Sequence, residues 1–302
     1  MSVALSKLKL RAEAHRRVRT FFFSKECLEV DCPALDAFAT IDAYIDPIET
    51  SCGYLHTSPE YGMKKLLAES PCDIYQISHV FRAHESGSRH RPEFTMLEWY
   101  RVGWSLEALI EESKEVIALF KPGLSYQKMT WKDAFQKHLS IDPFHVDSSV
   151  LLRLLEPLNL SKDSAQSSKE DLLDMVFSTF IEPKLGSACI IDQFPASSAA
   201  LAKADIDTEG NAVCRRFEIY IDGYEVANGY DELVGPGAST QMRARFENAL
   251  QIRAKAQKAP LLIDEQLLEA LDRIPPCVGV AMGFDRLLML SINADKISSV
   301  TL

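Results

Sequence analysis

The sequence predicts an α+β fold, with a mostly antiparallel sheet flanked by helices. Three observations carry this. Residues 72–82, CDIYQISHVFR, and 94–102, FTMLEWYRV, are rich in β-branched and aromatic types and flank a polar loop, HESGSRHRPE, which reads as an antiparallel pair. The regular strand–helix alternation that a doubly wound parallel sheet requires is missing. Neither GxxxxGK(S/T) nor GxGxxG occurs, so neither a P-loop nor a Rossmann site explains nucleotide binding.

In chain order, Leu5, Leu8, Ala12, His15, Val18 and Phe22 recur at helical spacing, which predicts an amphipathic first helix. Its arginines also suit a transit peptide, but it runs directly into strand-like residues, which favours the helix. Cys27 to Pro33 reads as a short extended segment halted by its proline. The hairpin follows, then helical spacing over 105–120. Helices are expected at 131–139, 148–156 and 169–180, with the polar stretch SKDSAQSSKED as a surface loop. Strands are expected at 187–193 and 213–228, a charged helix at 239–258, and a strand at 277–283 leading into a helix from Phe284. The expected organisation is one catalytic domain over 1–302 with a helical insertion at about 121–180.

Composition narrows the function classes. With 302 residues, 47% hydrophobic and 25% charged, the chain has ample material for a buried core. A net charge of −10 argues against broad contact with nucleic acid or an anionic membrane, since such surfaces need clustered Lys and Arg. No apolar run reaches membrane-spanning length. The seven cysteines are scattered, odd in number and never in a CxxC pair, so a reducing cytoplasm is expected rather than disulfides or a zinc knuckle.

Three clusters carry chemistry. Arg82 ends a strand, and His84, Glu85, Arg89, His90 and Arg91 follow it in the loop. Such a group makes a phosphate clamp, since Arg offers bidentate donors, or simply a solvated hairpin tip. Glu218, Glu225 and Glu232 recur seven apart. Regular pairing would put Glu218 and Glu225 on opposite faces, so an irregularity near Gly223 is needed for both to point inward and hold Mg²⁺ opposite phosphates. An exposed acidic strand face is the other reading. Finally, Arg286 opens a helix after GVAMGFD, where it can lie over a ring or reach a phosphate.

Together and in this order, the clusters resemble the class II aminoacyl-tRNA synthetase signature. The first helix with EVDCP resembles motif 1, FRAHESGSRHRPEF motif 2 and GVAMGFDR motif 3. TSPEY, RPEFTMLEWY, FEIYIDGYEVANGYDEL and FPASSAALAK narrow the resemblance to the lysine enzymes, over nearly the whole chain. The resemblance implies the class II catalytic fold and a homodimer built on motif 1, with ATP and Mg²⁺ as cofactors. Arg82 would hold the α-phosphate and the substrate carboxylate, and Phe94 and Arg286 would sandwich the adenine. His90 would assist at the terminal phosphates, and Glu218 and Glu225 would bind Mg²⁺. Glu60 would take the substrate α- or β-amino group, and Glu98, Tyr100 and Glu232 the ε-ammonium, with Asn228 and Tyr230 completing the pocket. Three carboxylates suit a diamine, because a buried ammonium needs anionic partners.

Motif 1 begins almost at Met1, so an anticodon-reading OB-fold is not expected. That shape resembles the stand-alone paralogues that activate α- or (R)-β-lysine as its adenylate and transfer it to a lysine of elongation factor P. A lysyl-tRNA synthetase-like enzyme charging tRNA and a non-catalytic regulatory protein are the alternatives. Some positions depart from the synthetase pattern. Ala281 stands where the synthetases usually have Gly and Ser58 where they usually have Ala; either the pair tunes α- against β-lysine or it is neutral drift. His84 occupies the place of a usual glutamate, which Glu85 can fill after a small loop shift, and Arg91 replaces an Asn. The basic face of the first helix (Lys7, Arg11, Arg17) is a candidate for an acidic partner or for plain solvation.

Overall fold

The computed structural model describes residues 3–158 and 167–301; of the expected loop SKDSAQSSKED, residues 161–166 lie outside the described residues. The chain forms two compact units, Met1–Gly123 with Asp231–Leu302, and Leu124–Tyr230.

The first unit opens with α1 (Val3–Ser24). Of its predicted face only Val18 and Phe22 are buried; His15 is half-buried, Ala12 is exposed, and Leu5 and Leu8 remain 43% and 48% exposed, while Ala14, outside that spacing, is buried. Phe22 stacks on Tyr75 with ring centres 4.4 Å apart, anchoring the helix to the sheet. The helix cations are bonded within the unit. Lys7 donates to the carbonyls of Ser298 and Thr301, Arg11 pairs with Asp285, and Arg17 with Glu13. β1 (Leu28–Glu29) follows, then a small antiparallel sheet of β2 (Leu35–Asp36), β3 (Ile48–Thr50) and β4 (Gly53–Leu55), and α2 (Glu60–Glu69). β5 (Ile74–Phe81) pairs in parallel with β1 and antiparallel with β6 (Glu93–Val102), the predicted hairpin. α3 (Leu106–Ala118) is capped by the Ser105 side chain. β6 is nearly all buried, so its polar groups are paired. The Trp99 indole and Arg101 both donate to Glu112 of α3.

The second unit holds the predicted helices and several strands besides. β7 (Gln127–Thr130) leads into α4 (Trp131–Leu139) through a Thr130–Asp133 capping box, and Asp147 caps α5 (Ser148–Leu155). α6 (Lys169–Val176) starts at a second capping box, Ser168 with Asp171. β8 (Ala188–Asp192) runs parallel to β7, and β9 (Ala204–Ile206) and β10 (Ala212–Cys214) form a hairpin. Trp131, Phe135, Phe177, Phe194 and Tyr220 fill the core. The strand expected over 213–228 is instead divided among three, with β11 (Arg216–Ile221) and β12 (Tyr224–Asp231) turning at Asp222 and Gly223. Both turn residues take left-handed backbones, φ 51° and 75°, which is what an Asp-Gly hairpin turn demands.

The chain then returns to the first unit. α7 (Ala238–Lys255) and α8 (Glu265–Leu271) precede β13 (Cys277–Gly283), which pairs antiparallel with β6 and runs straight into α9 (Phe284–Ser291) as predicted. Among the described residues no helix is long and apolar enough to cross a membrane. All seven cysteines are free thiols.

Candidate active site

The residues marked by the sequence fall into three groups, two in the first unit and one in the second. The first lies at one end of the β5–β6 hairpin. Arg82 follows β5 directly, and Phe94 sits opposite Val80 near the start of β6. The Arg82 guanidinium lies over the Phe94 ring, 5.1 Å from its centre, and its Nε donates to the Thr57 carbonyl at 3.4 Å. His84 takes a left-handed backbone, φ 66°, and the next side chain, Glu85, comes within 3.7 Å of Arg82. Glu85 is thus a carboxylate beside the strand-end arginine.

Arg286 lies in the first turn of α9 and donates to His90 Nε2 at 2.7 Å. Arg82 thus covers one face of Phe94. Asp285 fixes the helix start. Its Oδ2 accepts from the Thr95 N–H at 2.8 Å, and its Oδ1 pairs with Arg11 at 2.6 Å. One buried carboxylate therefore ties the helix of Arg286 to the strand of Phe94. The loop between β5 and β6 is pinned as well, by Arg91 donating to Thr301 Oγ1 at 2.6 Å and the Ile297 N–H donating to the Ser88 carbonyl at 2.9 Å. Two arginines held at one hairpin end can bind phosphate oxygens.

The second group is a buried carboxylate pocket. Glu60 opens α2, and Glu98 and Tyr100 share one face of β6. Glu232 follows β12, its N–H held by the Cys277 carbonyl at 3.1 Å. Tyr100 Oη donates to Glu98 Oε1 at 2.7 Å and Ser58 Oγ to Glu98 Oε2 at 2.6 Å. The same Ser58 oxygen accepts from the Glu60 N–H at 3.0 Å, so one hydroxyl links the start of α2 to Glu98. Across the sheet, Ala281 pairs with Glu98 and Gly279 with Tyr100. Of the departures from the synthetase pattern, Ser58 thus bonds the Glu98 carboxylate and Ala281 stands opposite Glu98 in the sheet.

Burial, reinforced by the Glu60 charge, pushes the Glu98 carboxyl up to about 7 against the pull of its Ser58 and Tyr100 hydrogen bonds. Burial likewise pushes Glu232 up to about 8, with Lys64 opposing it. Lys64, one turn after Glu60, was not singled out from the sequence. It is 1% exposed and lies 2.6 Å from Glu60 Oε1 and 2.7 Å from Glu232 Oε2. Burial disfavours its charged form, but Glu232 and Glu60 outweigh that and hold its pKa above the usual value. The i, i+4 spacing of Glu60 and Lys64 on a helix was the available signal.

The third group lies on β11 and β12. Glu218 pairs with Asn228, but the register slips between Ile219 and Tyr220, so Glu225 rather than Val226 faces Tyr220. This bulge supplies the irregularity needed to put Glu218 and Glu225 on one face, and it sits within the strands rather than at the Gly223 turn. Arg216 and the Tyr220 hydroxyl both donate to Glu218. Arg216 also donates to Asn228 Oδ1 at 3.1 Å and the Ser198 carbonyl at 2.9 Å, and lies over the Phe194 and Tyr230 rings. Asn228 and Tyr230 therefore gather with Glu218 around Arg216, another residue the sequence reading did not name. Burial, helped by the Glu225 charge, raises the Glu218 carboxyl in spite of Arg216.

Comparison with known proteins fits this arrangement. The family described as tRNA synthetases class II (D, K and N) matches over residues 2–302. A protein of Vibrio cholerae serotype O1 named elongation factor P–(R)-β-lysine ligase is 38% identical over 314 residues, covering 99% of this chain and 95% of that one. Proteins of the same name from Pectobacterium carotovorum subsp. carotovorum and Yersinia pestis are 37% and 36% identical over 313 residues, with the same coverage. Matched along nearly its full length, with all three motifs in place, this chain belongs to the class II tRNA synthetases of the D, K and N group.

Proposed function

We propose that this enzyme activates lysine, as the α- or (R)-β-isomer, with ATP and transfers it from the adenylate to a lysine side chain of elongation factor P. The observation that carries this reading is the buried pocket of Glu60, Glu98 and Glu232, lined by Ser58 and Ala281. Buried carboxylates, with Glu98 and Glu232 pushed up by burial, are matched to a ligand bringing ammonium groups. The relatives' shared name supplies the acceptor.

In the first step a lysine carboxylate oxygen attacks the α-phosphorus of ATP, and pyrophosphate leaves. Arg82 bears the charge that develops on the phosphoryl oxygens, by position and electrostatics rather than through a covalent enzyme intermediate. Phe94 and Arg286 bracket the base, with His84, Glu85 and His90 in the loop that covers the phosphates. In the second step the acceptor ε-amine attacks the carbonyl carbon, AMP leaves and the amine gives up a proton. Glu218 and Glu225 would hold Mg²⁺, which takes one or two carboxylates plus phosphate oxygens and supplies positive charge there. Two carboxylates on one strand face fit that donor set.

The test is to incubate the protein with Mg-ATP, labelled α- or β-lysine, and either elongation factor P or bulk tRNA. Label is expected on the protein factor, with β-lysine preferred. Label on tRNA would return the enzyme to aminoacylation, and no lysine-dependent pyrophosphate release at all would leave a regulatory role. The reducing cytoplasm is the compartment that suits seven free thiols. A homodimer through α1 and β1 completes the proposal. Leu5, Leu8, Phe23 and Leu28 are 43% to 83% exposed there, an apolar surface that a second copy would cover. Sedimentation should give twice the chain mass, and a monomer at working concentration would refute it.

A further inference from the structure

We propose that Lys64 is a positioning residue that sets this pocket for a ligand carrying two ammonium groups. The inference rests on reading the pocket as the lysine site. Once Glu98 and Glu232 give up their protons to admit ammonium groups, three carboxylates set against one internal ammonium leave two negative charges, the number of ammonium groups on one lysine, whether α or β. Charge balance matters here because an unmatched buried carboxylate is costly.

Lys64 also fixes geometry. Glu60 comes from α2 and Glu232 from the segment after β12, and the Lys64 ammonium binds both. Glu98 is different. It receives hydroxyl donors from Ser58 and Tyr100, and among the described residues no cation pairs with it. The pocket therefore offers two carboxylates held in place by an internal cation and one, Glu98, held by hydroxyls alone. The titratable groups facing it are Glu60 and Lys64 from α2, Glu98 and Tyr100 from β6, and Glu232. The Cys32 thiol is also near enough for Glu98 to raise its pKa. Without Lys64, Glu232 would lose the charge that opposes its burial and keep its proton to higher pH, and both Glu60 and Glu232 would lose the partner that holds them in place.

The test compares the full-length protein with Lys64→Met, which keeps the chain length and loses the charge, and Lys64→Arg, which keeps the charge. Lysine-dependent pyrophosphate exchange is followed from about pH 6 to about pH 9, bracketing the raised carboxylates. In the unsubstituted protein, KM for lysine should fall as pH rises through about 7 to 8, because Glu98 and Glu232 lose their protons there and then attract the ammonium groups. Lys64→Met should raise KM for lysine about 10- to 100-fold, leave KM for ATP within about twofold, and move the pH profile upward. Lys64→Arg should keep the original profile. An unmoved lysine KM and profile in Lys64→Met overturns the proposal. So does a Lys64→Arg protein that folds but shows the altered profile expected of Lys64→Met. If Lys64→Met fails to fold, the Lys64→Arg result decides alone. No lysine dependence in the unsubstituted protein would instead sink the reading of the pocket, which separates the two failures.

Discussion

Gly279→Ala is expected to lower the affinity for lysine at least about 100-fold while leaving ATP binding intact, because the added methyl has no space of its own. A Cβ at this position would stand 2.4 Å from Tyr100 Cε1 and 2.6 Å from Glu232 Oε1. Neither neighbour can swing aside cheaply. Tyr100 is buried and its hydroxyl is committed to Glu98, and Glu232 is buried and in contact with Lys64. Pushing them back disturbs two of the three groups assigned to the ε-ammonium and adds about 1–3 kcal/mol of overpacking strain. Titration calorimetry with lysine and with an ATP analogue separates the two effects. A lysine affinity left unchanged in a folded Gly279→Ala protein would show that the ligand does not use this face of β13.

Arg82→Ala should reduce the rate of adenylate formation about 10²- to 10³-fold, the usual cost of removing one donor aimed at developing phosphoryl charge. The side chain is partly exposed and its own contacts are modest, a long hydrogen bond to the Thr57 carbonyl and the face of Phe94. Truncation should therefore cost little stability, so lost activity will not be a folding effect. Arg82→Lys should recover only part of the rate, since an ammonium cannot reproduce a planar two-pronged donor. Single-turnover measurement of adenylate formation, alongside thermal unfolding, is the check. A rate within about threefold of the original would remove Arg82 from the phosphate site.

The buried pocket also affects stability. Glu98 and Glu232 hold protons in the folded chain at pH values where an unfolded chain would have lost them. Their contribution to stability is therefore greatest in acid and falls as pH rises from about 4.5 through about 8. A ligand that brings positive charge restores what is lost at the upper end.

The periodicities of the sequence located the hairpin of β5 and β6, the helices α3 to α7, and the passage from β13 into α9. Each rests on local preference, such as β-branched and aromatic runs, capping residues or a glycine at a strand end. The three motifs named the chemistry, because their order and residue types identify the family without any knowledge of contacts. Where local signals were weak or depended on pairing, the sequence was silent. Whether Glu218 and Glu225 share a face depends on which residue of β12 is squeezed out of register, and that is decided by strand pairing at Tyr220. The Asp-Gly turn in the middle of 213–228 was written in the sequence but overridden there by the long β-rich run around it. Only the tertiary structure showed that Ser58 bonds Glu98 and Ala281 stands opposite it in the sheet, that Lys64 is a buried cation inside an acidic pocket, and that Arg216 gathers Glu218, Asn228 and Tyr230. Sequence spacing records which side chains exist and which face of their own element they share. It does not record which faces of different elements close on one another, and the charge balance of a buried site is set by that closure.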